Sequence, residues 1–244
     1  MKCIILAAGY ATRLYPLTEN FPKPLLEVCG KTILDRLIED ISASGDVDEF
    51  ITVTNHKFAP HFERWAEGRN NITVADDGTT SNENRLGAVR DIWFAAEKCG
   101  INNDCMVIAG DNVLDFSLTR FIDYFKQKKH SCVMRYYEPD TERIKKGGCL
   151  VLGEGDAVSE MQEKSPNPKS HWCCPPFYIY TAEDLKRIPE AIADGAGFDA
   201  PGSFVSWLCR KAEMYAMEMP GSRYDIGDIK SYENVQKTYK GIVK

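Results

Sequence analysis

The chain has 244 residues, a length at which one α/β domain is the commoner outcome, and its 43% hydrophobic and 27% charged residues exclude a disordered chain. A net charge of −6 excludes nucleic-acid binding through bulk charge. No apolar run approaches the roughly 18–20 residues of a membrane span, and the run 3–8 is too short for a secretion leader.

In chain order the hydrophobic pattern reads as strand 2–7, helix 32–44, strand 49–54, helix 58–67, strand 71–75, helix 86–98, strand 105–109 and helix 118–129. The first helix opens on Thr32-Ile33-Leu34-Asp35, a capping-box-like start, with Ile33, Leu34, Leu37, Ile38 and Ile41 on one face. Such alternation predicts an α/β fold: a doubly wound, mostly parallel twisted sheet with helices on both faces. Beyond residue 130 the strands 131–137, 148–152, 157–162 and 177–180 follow one another without full crossover helices. Helices 182–193 and 202–212, a strand 214–219 and a helix 230–240 complete the chain. No Ser/Gly linker or repeat separates the halves, so residues 1–244 are read as one domain with halves at 1–130 and 131–244. Nine cysteines without a Cys-x-x-Cys pair indicate neither a zinc knuckle nor a disulfide framework, and free thiols in a reducing cytoplasm are expected.

In such sheets ligands sit beyond the carboxyl ends of the strands. The first strand runs into Leu6-Ala7-Ala8-Gly9-Tyr10-Ala11-Thr12-Arg13, where small residues let backbone N–H groups approach phosphate oxygens and Arg13 adds a charged fork. Pro22 and Pro24 then fix the backbone around Lys23, holding one cation in place. Lys2, Arg13, Lys23 and Lys31 outnumber Glu19 and Glu27 in this stretch of an otherwise acidic chain, which points to a local anion site. The buried-type strand Val107-Ile108-Ala109-Gly110 ends in Asp111, a place for a hard divalent cation beside phosphates. The four histidines form no ligand spacing. Walker-type Gly-x-x-x-x-Gly-Lys, Gly-x-Gly-x-x-Gly and Gly-x-Ser-x-Gly motifs are all absent, which disfavours a kinase, a dehydrogenase and a serine hydrolase.

Leu6–Leu14 together with Pro22–Leu26 resembles the signature of the sugar-phosphate nucleotidylyltransferases, most closely the short bacterial glucose-1-phosphate thymidylyl-, uridylyl- and cytidylyltransferases. The resemblance implies a nucleotide-diphospho-sugar transferase-like fold, with a mainly nucleotide-binding first half and an acceptor-binding subdomain on the same sheet. It implies an enzyme that moves NMP from an NTP to a phosphorylated acceptor, releasing pyrophosphate with Mg²⁺. By resemblance Leu6, Ala7, Ala8 and Gly9 hold the triphosphate, Arg13 contacts its β and γ phosphates, and Lys23 stabilises the α-phosphate. Asp111 and Asp225 are the implied metal ligands, Gly87 lies near the base, and Gly148, Glu163 and Lys164 bind the acceptor, Glu163 at a hydroxyl and Lys164 at the phosphate.

Three departures qualify this. Ala11 stands where glycine is usual. Arg90 and Asp91 replace small residues near the acceptor; they are either acceptor contacts or the exposed face of helix 86–98. Cys173-Cys174-Pro175-Pro176 replaces a Thr-Gly pair and removes at least two backbone donors, which points away from ordinary glucose 1-phosphate. A cytidylyltransferase for a small non-sugar phosphate and a non-catalytic nucleotide or sugar-phosphate sensor stand as alternatives. The expected partners are a nucleoside triphosphate and a phosphorylated small molecule, with no nucleic acid and no membrane, in a monomer or homodimer.

Overall fold

The computed structural model describes residues 1–242. In chain order the elements are β1 (Lys2–Leu6), β2 (Glu27–Val28), β3 (Lys31–Thr32), α1 (Ile33–Ser42), β4 (Glu49–Thr54), α2 (Ala59–Ala66), β5 (Ile72–Asp76), α3 (Ala88–Lys98), β6 (Cys105–Ala109), β7 (Asn112–Leu114), α4 (Thr119–Lys128), β8 (Ser131–Tyr137), α5 (Thr141–Ile144), β9 (Gly148–Leu152), β10 (Val158–Glu163), β11 (Trp172–Cys174), β12 (Phe177–Tyr180), α6 (Ala182–Leu185), α7 (Ile188–Ala193), α8 (Gly202–Leu208), β13 (Met214–Glu218), β14 (Arg223–Asp225) and α9 (Ile229–Thr238). They form two compact units. The first is Met1–Arg85, Ala109–Arg120 and the segment from Pro220 on; the second is Leu86–Ile108 with Phe121–Met219. The units interleave along the chain, whereas the halves expected from the sequence meet at residue 130.

The fold is α/β, as the alternation of elements predicts. In the first unit β1, β4 and β5 run parallel, Cys3 opposite Phe50 and Phe50 opposite Ile72. Cys3, Ile4, Ile5, Phe50, Ile51 and Val53 are fully buried, the continuous apolar run expected of parallel strands covered on both faces. Helix α2 packs on β4 and β5. Helix α1 buries the face Ile33, Leu34, Leu37, Ile38 and Ile41, and Thr32 caps it by accepting from the Asp35 N–H at 2.9 Å.

In the second unit the connections are too short for crossovers, and the pairing is mostly antiparallel: β10 with β9, β9 with β11, β11 and β12 with β8, and β12 with β6. Only β13, after α6–α8, runs parallel to β8. Strands β11 and β12 lie in succession along β8, but Tyr178 pairs with Val133 where a continued register would reach Ser131. The intervening Pro175 and Pro176 have no N–H for the ladder, and the chain makes a two-residue break there.

Two expectations are corrected. The helix expected over 182–193 is two short ones, because Pro189 cannot bond back to Leu185 and starts α7 instead. The helix expected over 202–212 ends at Leu208. The small β2–β3 and β7–β14 ladders were too short to carry a pattern. No helix among the described residues is long and apolar enough to cross a membrane.

Candidate active site

The first strand ends where Ala7 N–H donates to Val53 O at 2.8 Å, and the chain then leaves the sheet. Asn55, fully buried at the end of β4, donates from Nδ2 to Ala8 O at 2.9 Å and accepts from Phe58 N–H at 3.0 Å, which pins the loop from below. A Cβ at Gly9 would meet nothing within 4 Å, so that backbone faces open space. Ala11 adopts the left-handed conformation (φ 47°), the reason glycine suits this position, and Thr18 Oγ1 donates to its carbonyl at 2.8 Å. Its Cβ therefore carries a backbone-conformation penalty. Arg13 follows, exposed, in the turn Thr12–Leu14.

Pro22 and Pro24 bracket a single 3-10 turn, Lys23–Leu25, that directs Lys23 inward. Lys23 is only 7% exposed, and its Nζ donates to Asp111 Oδ2 at 2.7 Å. Asp111 reaches this place because Gly110 N–H donates to Leu6 O at 2.9 Å; a Cβ on Gly110 would lie 2.8 Å from Ile5 Cγ2. The other carboxylate oxygen, Oδ1, accepts from buried Asn112 Nδ2 at 3.0 Å, and Arg223 Nη1 donates to Asn112 Oδ1 at 3.0 Å. The β7–β14 register sets Asp225 opposite Asn112, next to Asp111. Arg13 Nη1 and Nη2 and Asp225 Oδ2 lie 3.8–3.9 Å from where a Gly227 Cβ would sit. Leu6, Ala7, Gly9, Arg13, Lys23, Asp111 and Gly227 line one cavity of about 210 Å³. The structure thus gathers two cations, two acids and a glycine loop from four separated stretches of sequence.

No three His, Cys, Asp or Glu side chains gather as a metal cage among the described residues. Two carboxylates, one of them 44% exposed, fit a hard cation that completes its shell with water and phosphate oxygens. Asp111 and Asp225 are the residues that would hold it.

The acceptor residues expected from the sequence all fall in the second unit, where Gly148 and Glu163 meet across the β9–β10 ladder with Lys164 next in the chain. Glu163, Gly148 and Cys174 lie in one row across β10, β9 and β11. Glu163 Oε2 is 3.4 Å from where a Gly148 Cβ would sit, and a Cβ on Gly202 would collide with the same oxygen and with Met161 Cε. Gly202 therefore makes room for the carboxylate, while Gly148 makes room for the Met161 methyl group, whose Cε would lie 2.4 Å from a Cβ there. Burial pushes the Glu163 carboxyl above its ordinary pKa, and the neighbouring Lys164 opposes that only in part. Lys164 is exposed, with φ 49° and its N–H donating to Gly147 O at 2.9 Å; a left-handed lysine is strain that a functional position can hold.

Gly87 has φ 91°, and a Cβ there would lie 2.7 Å from Phe198 O, so packing alone requires glycine. The N–H groups of Ala88 and Val89 donate to Asp199 O and Phe198 O at 3.1 and 2.9 Å. Arg90 is exposed and stacks 3.7 Å over the Phe198 ring, while Asp91 is buried at 6%, so the reading of both on one exposed helix face is corrected for Asp91. Asn55, Asn112, Arg223 and Gly202 escaped the sequence reading, because their work is to hold other residues and no motif marks it.

The chain matches the nucleotidyl transferase family over residues 2–241. It is 27% identical to mannose-1-phosphate guanylyltransferase of Mycobacterium tuberculosis over 78% of this chain and 51% of that one. It is 24% identical to UTP–glucose-1-phosphate uridylyltransferase AglF of Haloferax volcanii over 93% and 91% of the two chains. The chain spans about half the length of several curated relatives it matches. A solved UDP-glucose pyrophosphorylase in complex with UDP-glucose shares the fold, with a TM-score of 0.82 at 19% identity, covering 98% of this chain and 97% of that one. With the family match running over nearly every residue, the chain belongs to the nucleotidyl transferases, the sugar-phosphate nucleotidylyltransferase family its first loop resembles.

Proposed function

We propose that this protein transfers a nucleoside monophosphate from a nucleoside triphosphate to a sugar phosphate, giving a nucleoside-diphospho-sugar and pyrophosphate. The observation that carries this is Lys23, buried and paired with Asp111, lining one cavity with Arg13 and with Leu6, Ala7 and Gly9 of the first loop. A phosphomonoester has its second pKa near about 6 and is mostly a dianion at neutral pH, so it attacks without a general base. One of its oxygens bonds to the α-phosphorus while the bond to the β-phosphoryl oxygen breaks, and pyrophosphate leaves with that electron pair. The obstacle is repulsion between two anions, and the work is positioning and charge.

In this reading the Leu6–Gly9 backbone and Arg13 hold the triphosphate, Lys23 faces the α-phosphate, and Gly87 lies toward the base. Glu163, paired across the ladder with Gly148, accepts from an acceptor hydroxyl, with Lys164 at the acceptor phosphate and Arg90 a further acceptor contact. Magnesium on Asp111 and Asp225 would supply further positive charge for the phosphates. Lys23 leaves its ion pair with Asp111 as the α-phosphate arrives, which frees that carboxylate. The proposed setting is the cytoplasm, in keeping with nine cysteines that are all free thiols.

The test is a matrix of nucleoside triphosphates against sugar phosphates, read by pyrophosphate release with magnesium and with EDTA. Release that depends on magnesium and is abolished in Asp111→Ala, with the melting temperature retained, is the expected result. Binding of both ligands without any pyrophosphate would make the protein a sensor instead.

A further inference from the structure

Asp111 is held at both of its oxygens. Oδ2 accepts from Lys23 Nζ at 2.7 Å, and Oδ1 accepts from Asn112 Nδ2 at 3.0 Å. Asn112 is 2% exposed, and both ends of its amide are used: Nδ2 also donates to Ala109 O at 3.1 Å, and Oδ1 accepts from Arg223 Nη1 at 3.0 Å. The amide suits this place in one sense only. Turned over, its oxygen would meet the Ala109 carbonyl and the Asp111 carboxylate, and its NH₂ group would meet a guanidinium that has donors and no acceptor. Arg223 therefore fixes which end of Asn112 faces Asp111. Its position comes from β14, where it pairs with Leu114, two places from the Asp225–Asn112 pair. Residues two apart on a strand share a face. One face of β14 thus carries both Asp225 and the group that fixes the Asn112 amide against Asp111.

We propose that Arg223 is a positioning residue for the divalent cation: acting through Asn112, it holds the Asp111 carboxylate in the orientation that binds the metal. The proposal rests on the transfer reading above and adds a residue to it. In that reading Lys23 turns from Asp111 to the α-phosphate, and the Asn112 amide goes on holding a carboxylate that is 44% exposed. The hydrogen bond from Arg223 to the amide oxygen polarises the amide and strengthens its donation to Asp111. Loss of such an outer hydrogen-bond partner costs a metal site about 10- to 100-fold in affinity. The sign separates positioning from plain charge. Arg223 is a cation, so removing it would by Coulomb interaction alone tighten the binding of a divalent ion nearby. Removing the group that orients Asp111 loosens it instead.

The experiment titrates the protein with manganese alone, read by electron paramagnetic resonance well below the melting temperature, in the wild type, Arg223→Met, Arg223→Lys and Asn112→Ala. Arg223→Met keeps an apolar stem and loses the donors, and its manganese Kd is expected to rise about 10- to 100-fold. Arg223→Lys, which returns a charged donor, should recover part of that loss. Asn112→Ala breaks the same link from its other end and carries the test by itself if Arg223→Met does not fold. Combining the two changes should add little to either one, because both remove a single connection. Equal or tighter manganese binding in Arg223→Met, or a lowered melting temperature with affinity intact, would overturn the positioning role and leave the transfer reading standing. The expected manganese series with no pyrophosphate from any pair of substrates would overturn the transfer reading alone. A wild type that binds no manganese would overturn metal binding at Asp111, and the positioning role with it.

Discussion

Lys23 is the residue on which charge and geometry converge. A lysine this buried keeps its position through one carboxylate, Asp111 Oδ2 at 2.7 Å, and through prolines on both sides. Lys23→Ala is expected to slow pyrophosphate release by about two to four decades, the scale of losing one preorganised charge-stabilising donor. Triphosphate binding should be partly retained, and a steady-state assay beside equilibrium binding separates the two. Glu163 carries a pH signature. Burial raises its pKa, with Lys164 opposing, so the carboxylate form that accepts from a hydroxyl is lost on acidification at a higher pH than for an ordinary glutamate. The acceptor KM should climb through that raised value as pH falls, and Glu163→Gln should remove this limb from the profile. The same raised pKa means that the fold favours the protonated form, so stability declines as pH rises from the unfolded-state pKa to the folded one. A pH-independent acceptor KM in the wild type would contradict the assignment.

At the scale of elements, single residues decide where helices begin and what they pack on. Helix α3 starts at Gly87, whose positive φ and contact with the Phe198 carbonyl leave no room for a side chain. Gly87→Ala should destabilise the fold by about 1–3 kcal/mol from backbone conformation alone, with the clash adding to it. Denaturant unfolding measures this, and an unchanged midpoint would show that the Phe198–Asp199 segment yields freely. The family glycine near the base thus has a packing reason in this chain that stands whatever its part in nucleotide binding. The motif at Leu6–Arg13 was readable because its spacing is local. The β7–β14 ladder that sets Asp225 opposite Asn112 was not, since three-residue strands separated by more than a hundred residues leave no periodicity to find.

For the molecule as a whole, the end of the chain completes its beginning. Tyr232 Oη donates to Glu27 O at 2.7 Å, Gln236 Oε1 accepts from Cys29 N–H at 2.9 Å, and Tyr239 Oη donates to Leu114 O at 3.1 Å. Arg36 also stacks 4.9 Å over the Tyr239 ring. A chain ending at Met219 would lose β14 and α9, leave Val113 and Leu114 uncovered, and remove Asp225. It should lose cooperative thermal unfolding, and a circular-dichroism melt that keeps a sharp transition would show that the first unit does not need its last segment.

The α/β class, most strands and helices, and the anion-binding character of the first loop follow from local order along the chain: apolar period, capping residues, prolines, small residues after a strand. These are short-range effects, and one sequence carries them in full. Pairing of Lys23 with Asp111, arrival of Asp225 opposite Asn112, and the opening at Gly202 for Glu163 came only with folding. Each joins residues far apart in the chain, where loop closure and ladder register rather than local propensity choose the neighbour.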